Sequence, residues 1–318
     1  MIHGYPYTNL LDWQSQPLPD SFVLQDHIFG HSPDMTNSVL DHLNTVAGKQ
    51  GKKLQLDYHS ILDHTVTSHY PNLQINFDAD FQNRINLAEF IDYNVHPDIN
   101  FKNFVCSFNG SPHVSRKLLV SIIKKLGWFA PEYCSKNFQF TLNNIDGHLN
   151  DVLSSDRQRF YSKFFLTSNK FGQQKYSFGH VRYNHSTNIY NLENKLTESF
   201  LHVVSETLAT SYYPFVTEKF LYSIVTRGLF LAYAQPGWHS HVEKYYGFKR
   251  YTKLFDYRFD AIQNPVERLV ELITMVSKFS QLTPAEWKDL YLLQQYEIEY
   301  NYDHYFSGDY LKHLKKYE

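Results

Sequence analysis

Cysteine is nearly missing from this chain of 318 residues, with Cys106 and Cys134 the only two. Their spacing fits no zinc signature, and they permit one disulfide without demanding it. A reducing compartment is the simpler expectation. No apolar run approaches the roughly 20 residues of a membrane span, which predicts a soluble protein with no membrane-spanning segment. The opening Met1-Ile2-His3-Gly4-Tyr5-Pro6-Tyr7 lacks the basic and then apolar stretches of a secretory signal, so a cytoplasmic location is expected. Internal repeats and low-complexity tracts are also missing, which excludes solenoid and linker-like organisation.

Aromatic residues are what the chain has in excess, with 25 Tyr and 25 Phe. Such a surplus serves either sugar and base stacking or a tyrosine-rich core, since aromatic side chains bury large areas wherever they occur. A hydrophobic content of 42% with 19% charge places the chain among folded proteins. The net charge of −2 hides an asymmetry. Residues 1–100 carry four basic side chains against twelve acidic ones, and residues 101–318 carry 26 against 20. A basic second part suits a polyanionic ligand such as a nucleotide diphosphate, without being basic enough to indicate nucleic acid by itself.

Two domains follow from the patterning, 1–100 and 101–318. Residues 1–20 hold Pro6, Pro17 and Pro19 and read as an irregular arm. Ser21–Gln25 is a short strand running into Asp26-His27. Val39, Leu43 and Val46 make one face of a helix over Thr36–Val46, with Gly48 near its stop. Lys53–Tyr58 and Leu73–Phe77 alternate as half-buried strands do, and Phe90–Val95 is a further short strand. The second domain opens with the apolar Phe104–Phe108, closed by the turn signal Asn109-Gly110. Leu118, Leu119, Ile122, Ile123 and Leu126 then stripe a helix over Ser115–Leu126. Residues 127–198 are poorly periodic and read mostly as loops. Ser199–Thr207 is an apolar run ending in Glu206. After a loop, Thr217-Glu218-Lys219 starts a helical pattern in Phe220, Leu221, Ile224 and Val225. Gly228–Tyr233 is a buried strand closed by Pro236-Gly237, and His241–Tyr246 is a short helix stopped by Gly247. Asn264-Pro265 starts a helix with Val266, Leu269, Val270, Ile273 and Val276 inward. Thr283 and Glu286 form a capping box for another. This alternation predicts an α/β fold with a parallel sheet and crossover helices.

In such sheets ligands bind beyond the carboxyl ends of the strands. Arg116, Glu206, Thr217, Glu218 and Lys219 all follow a strand end and can approach one cleft from different crossovers. A cation in the first turn of a helix opposes the macrodipole, so Arg116 is less unexpected if an anion sits beside it. Arg grips a diphosphate with a planar fork, Lys supplies a mobile point charge, and free N–H groups at Thr217–Lys219 add donors. Phosphate repels carboxylates, so Glu206 and Glu218 are expected to accept hydrogen bonds from ribose or sugar hydroxyls. The plainer alternatives are a solvated Arg116 and a capped surface helix at Glu218.

Phe104–Arg116, Phe200–Thr207, Val216–Lys219 and Gly228–Tyr233 together resemble the carboxyl-terminal donor domain of GT-B glycosyltransferases of the fucosyltransferase type. In that family a strand leads to an Arg-containing helix start, a later strand reads apolar-Glu-Asn-Ser, and Tyr-Val-Thr-Glu-Lys begins the helix under the nucleotide sugar. Here Ser205-Glu206-Thr207 stands for the first motif and Phe215-Val216-Thr217-Glu218-Lys219 for the second. The chain is similar, too, to glycosyltransferases encoded by large-genome bacteriophages in Thr217-Glu218-Lys219, Gly247-Phe248-Lys249 and Phe259-Asp260. The resemblance covers residues 101–290. It implies a GT-B-like fold of two Rossmann-like domains with an interdomain cleft, the acceptor side first and the donor side second. It further implies that Arg116 and Lys219 bind the donor diphosphate, that Glu218 contacts ribose, and that Glu206 faces the donor sugar. A phage source would make the location the host cytoplasm and the acceptor a hydroxymethylated pyrimidine in DNA; a surface glycan is the alternative acceptor.

The first domain should then supply the acceptor side and a catalytic base. Asp26 and His27, at the end of the first strand, are the candidates, with Asp63-His64 as rivals. No cofactor is expected, because the nucleotide sugar is a substrate. Asp78-Ala79-Asp80 matches the metal-binding Asp-X-Asp of GT-A enzymes, an alternative in which a divalent ion bridges the diphosphate. His239-Ser240-His241 offers two imidazoles to a metal but no third ligand, so surface or cleft histidines are expected there. From another class, the same residues suit a non-catalytic α/β module that binds a glycan or a protein.

Overall fold

The computed structural model describes residues 21–24, 33–58, 69–77, 99–109, 114–130, 134, 192–206, 209, 216, 218–314 and 316. The protein is α/β; the described residues form two three-stranded sheets whose strand pairs are all parallel. The chain divides into two compact units. One comprises Met1–Gln82, Ser154–Tyr183 and Ser211–Phe215, the other Asn83–Leu153, Asn184–Thr210 and Val216–Glu318. Among the described residues no helix is long and apolar enough to cross a membrane.

In the first unit, strands β1 (Ser21–Leu24), β2 (Leu54–Tyr58) and β3 (Leu73–Phe77) lie side by side in chain order. Helix α1 (Pro33–Lys49) connects β1 to β2. It buries Leu40, Leu43, Val46 and Ala47, the three- and four-residue spacing of one helix face. Asn72 ties the start of β3 to this helix, its N–H donating to Asn44 Oδ1 at 2.9 Å and its side-chain amide to the Asn44 carbonyl at 3.2 Å. The expected strand Phe90–Val95 and most of 127–198 lie outside the described residues.

The second unit is built on β4 (Asn103–Cys106), β5 (Ser199–Ser205) and β6 (Leu229–Tyr233), again in chain order. Helix α2 (Val114–Lys125) follows β4, and α3 (Glu218–Val225) crosses from β5 to β6. After β6 come α4 (Trp238–His241), a π-helical turn over Val242–Tyr246 and a 3-10 turn over Tyr257–Ala261. Helices α5 (Pro265–Ser277), α6 (Pro284–Leu293), α7 (Gln295–Phe306) and α8 (Asp309–Leu314) follow. The predicted caps are present. Asn264 accepts from Val266 N and Glu267 N, and Thr283 with Glu286 closes a reciprocal capping box.

Every residue of β5 and β6 is buried, as expected of parallel strands covered on both faces. Register sets Val105 beside Leu201 and Leu201 beside Leu229. On the opposite face Phe104, Phe200 and Trp287 stack with ring centroids 5.7 to 6.3 Å apart. Phe101 and Phe279 meet Phe200 edge-on. Much of the aromatic surplus therefore builds the core of this unit.

His202 interrupts that apolar face. Its Nε2–H donates to the Leu196 carbonyl at 2.8 Å, and Nδ1 lies 3.0 Å from Ser223 Oγ on α3. Burial pushes the imidazole down to about 4, with the Leu196 carbonyl opposing. The ring fits only because residue 228 has no side chain. A Cβ there would come within 2.1 Å of His202 Cε1. Gly228→Ala is therefore expected to destabilise the protein by about 1–3 kcal/mol, as overpacking of a close-packed core does. Urea unfolding measures this, and a variant as stable as wild type contradicts the close approach.

Candidate functional site

Because β4, β5 and β6 run parallel, their carboxyl ends share one edge. The apolar character of the strands stops there at once. Ser107 and Asn109 follow β4, Ser115 and Arg116 sit in the first turn of α2, Ser205 and Glu206 end β5, and Gln235 follows β6; all are buried. Ser107 Oγ donates to the Val203 carbonyl at 2.9 Å, and Asn109 Nδ2 donates to Ser107 Oγ at 3.1 Å. Glu206 N donates to the Tyr233 carbonyl at 3.1 Å, carrying the β5–β6 ladder one rung past the strand end.

Two charges lie within this polar collar. Arg116 is 3% exposed and Glu206 1%, and each is engaged by further interactions. Arg116 is therefore not a solvated surface group. Removing such charges from water costs several kcal/mol per ion unless partners compensate. The first turn of α2 carries no acidic residue to answer its macrodipole. Ser115 Oγ and Ser205 Oγ are buried with no hydrogen-bond partner among the described residues. An unpaired buried hydroxyl costs about 1–3 kcal/mol, so both are left unsatisfied among the described residues. A guanidinium, a carboxylate and two spare hydroxyls can hold an anion and order hydroxyls beside it.

Arg116 and Glu206 thus belong to one edge, on the exits of neighbouring strands. Glu218 opens α3, and Lys219 lies partly exposed in its first turn with interactions of its own. Thr217, Asp26, His27, Asp63, His64, Asp78 and Asp80 lie outside the described residues.

His239 and His241 are buried, at 2% and 9% exposure, and are not surface histidines. The Ala232 N–H donates to His239 Nε2 at 3.0 Å, which requires a lone pair there and leaves the hydrogen on Nδ1. Nδ1–H donates to Asp260 Oδ1 at 2.8 Å. Neither ring nitrogen of His239 keeps a lone pair for a metal. The same carboxylate accepts from His239 N at 3.1 Å and Ser240 N at 3.2 Å, so Asp260 caps α4. Burial acts to raise its pKa, but the His239 ring and these amides outweigh that and hold it below the usual carboxylate range. His241 packs on the Tyr245 ring with centroids 4.6 Å apart. Burial, reinforced by Lys244 and opposed by Asp260, pushes it down to about 3. Among the described residues no group of three or more His, Cys, Asp or Glu side chains is placed to hold a metal. Cys106 and Cys134 are free and buried, and burial raises both thiols, Cys134 to about 11. A space at the amino end of the sheet, lined by Phe101, Leu196, Ser199, Thr226, Gly228 and Tyr291, holds no more than about one water molecule.

Two residues of this edge escaped sequence reasoning. Asp260 stands out in the sequence only through Phe259-Asp260, and nothing near it in the chain shows that it seats His239. Arg268 is 1% exposed and lies on the buried stripe of α5 with Pro265, Leu269 and Leu272. Its signal was available: a cation three residues after the N1 proline and four before Leu272 falls on the inward face. Comparison with family models, curated proteins and solved structures finds no match to this chain.

Asp260→Asn replaces an acceptor-only carboxylate by an amide with one acceptor oxygen. It is expected to lose about 2–3 kcal/mol at neutral pH, the scale of charge-assisted hydrogen bonds. The folded pKa of Asp260 is lowered, so its stabilisation is present above the unfolded carboxylate pKa of about 3.9 and fades as pH falls below it. The difference between wild type and variant should narrow on acidification; a gap independent of pH speaks against the charged cap.

Proposed function

We propose that this protein is a nucleotide-sugar-dependent glycosyltransferase of GT-B type, with the second unit as its donor half. The observation that carries this reading is the buried Arg116 and Glu206 at the exits of adjacent parallel strands, beside two unpaired hydroxyls. The motif resemblance of Ser205-Glu206-Thr207 and Val216-Thr217-Glu218-Lys219 supports it. In the proposed reaction an acceptor hydroxyl attacks the anomeric carbon, the bond from sugar to phosphate breaks, and the nucleoside diphosphate leaves with the electron pair. Arg116 and Lys219 neutralise the diphosphate, and such preorganised charge is usually the largest catalytic contribution. Glu206 and Glu218 accept hydrogen bonds from sugar and ribose hydroxyls. The acceptor proton passes to a base from the first unit, for which Asp26 and His27 are the candidates. The acceptor is a glycan hydroxyl or a hydroxymethylated pyrimidine in DNA, and a steep loss of DNA binding with added salt selects the second.

The deep burial of Arg116 and Glu206 also suits a module that uses both charges structurally and binds a glycan or protein without catalysis. Thermal unfolding with UDP, GDP and related nucleotides separates the two. A nucleotide at 100 times its dissociation constant should add about 2.7 kcal/mol of stability. Stabilisation by none of them favours the binding module. Repeating the series with EDTA and with manganese tests the Asp78/Asp80 alternative. Lys219→Ala is expected to cut turnover by roughly a hundredfold while leaving the unfolding midpoint near wild type, whereas Arg116→Ala, at a buried and engaged position, is expected to lower turnover and stability together. Unchanged transfer in both removes them from the site.

A further inference from the structure

We infer that Arg268 is the positioning residue of the carboxyl edge, a buried guanidinium clamp that fixes the exits of β5 and β6 relative to one another. The inference rests on the glycosyltransferase reading for what the clamp serves, and on hydrogen bonds alone for its existence. Arg268 Nε donates to the Ala234 carbonyl at 3.0 Å, just past the end of β6. Nη2 donates to the Ala209 carbonyl, three residues past Glu206. Nη1 donates to the carbonyls of Ile262 and Gln263, the latter at 3.3 Å, on the approach to α5. One planar group therefore gathers three chain segments that are distant in sequence.

All four acceptors are backbone carbonyls, and no carboxylate oxygen touches the guanidinium among the described contacts. Carbonyls that leave a parallel sheet have lost their ladder partners and need donors when buried. A guanidinium offers five N–H groups in a fixed plane, whereas an ammonium offers three from one point. Arg is thus the side chain whose shape serves three segments together. Asp260, which seats α4 through His239 and Ser240, opposes the desolvation of Arg268 at longer range, as does Tyr233. The clamp holds the chain leaving Glu206 against the chain leaving Tyr233. Those two exits frame the collar in which Ser205 and Glu206 stand.

Hydrogen exchange of the whole protein tests this with Arg268→Met, Arg268→Lys and, as a core control on the same helix, Val276→Ala. In Arg268→Met, exchange in peptides around Ala209 and Ala234 should accelerate about tenfold or more relative to Val276→Ala, the change expected from losing one charge-assisted hydrogen bond. Amides inside β5 and β6 should keep the protection they have in Val276→Ala. Unchanged exchange around Ala209, or acceleration spread evenly over the unit, overturns the clamp. Should Arg268→Met fail to fold, Arg268→Lys carries the same comparison, because it keeps the charge and loses the fork. Affinity for UDP and GDP supplies the second readout. About a tenfold weakening in Arg268→Lys, with Val276→Ala at wild-type affinity, ties the clamp to the site; equal affinity in both variants overturns that tie. If wild type binds neither nucleotide, the glycosyltransferase reading fails, while the exchange comparison still decides the clamp.

Discussion

A parallel sheet buried on both faces has to end somewhere, and its polar ends must be satisfied inside the protein. The second unit is organised around that constraint. Along β4, β5 and β6 the ladder supplies every strand with partners, and the side chains are free to be apolar. Past Cys106, Ser205 and Tyr233 the ladder runs out. Hydroxyls, amides and charges take over within about four residues: Ser107 reaches the Val203 carbonyl, Asn109 reaches Ser107, and Arg268 reaches Ala234 and Ala209. In the proposed reading the collar offers a ligand donors that are already desolvated, conditions in which charge stabilisation is strongest.

The same constraint explains why several polar residues here serve the fold. His202 spends one ring nitrogen on the Leu196 carbonyl and faces Ser223 with the other, in space left by Gly228. His239 spends Nε2 on the Ala232 amide, inside β6, and Nδ1 on Asp260. Both histidines are committed at both ring nitrogens to partners inside the protein. By contrast, Ser115 and Ser205 carry hydroxyls with no such commitment among the described residues. Committed and uncommitted polar groups thus separate by their partners, although burial alone makes them look alike.

Much of the second unit was legible in the sequence because its signals are local. The apolar runs at Ser199–Ser205 and Leu229–Tyr233, the Asn264 cap before Pro265 and the Thr283–Glu286 box each lie within a few residues. Position at the edge was legible too for Glu206, which directly follows β5, and for Arg116, which starts the helix after β4. What was not legible depends on contacts across long separations. Asp260 lies 21 residues from His239, and Arg268 lies 59 from Ala209 and 34 from Ala234. Hydrophobic periodicity reports only whether a position faces inward, so it placed Val270 inside, where Leu272 is the buried neighbour. It carries nothing about which carbonyl a buried guanidinium will meet.

We propose that the carboxyl edge of β4, β5 and β6 is the ligand site of this protein. Amide exchange mapped with and without a saturating nucleoside diphosphate tests it most directly. Added protection is predicted in peptides covering Ser107–Arg116 and Val204–Glu206, with no change at the amino edge around Thr226–Gly228. Protection confined to the amino edge, or none anywhere in the second unit under conditions of demonstrated binding, would contradict it.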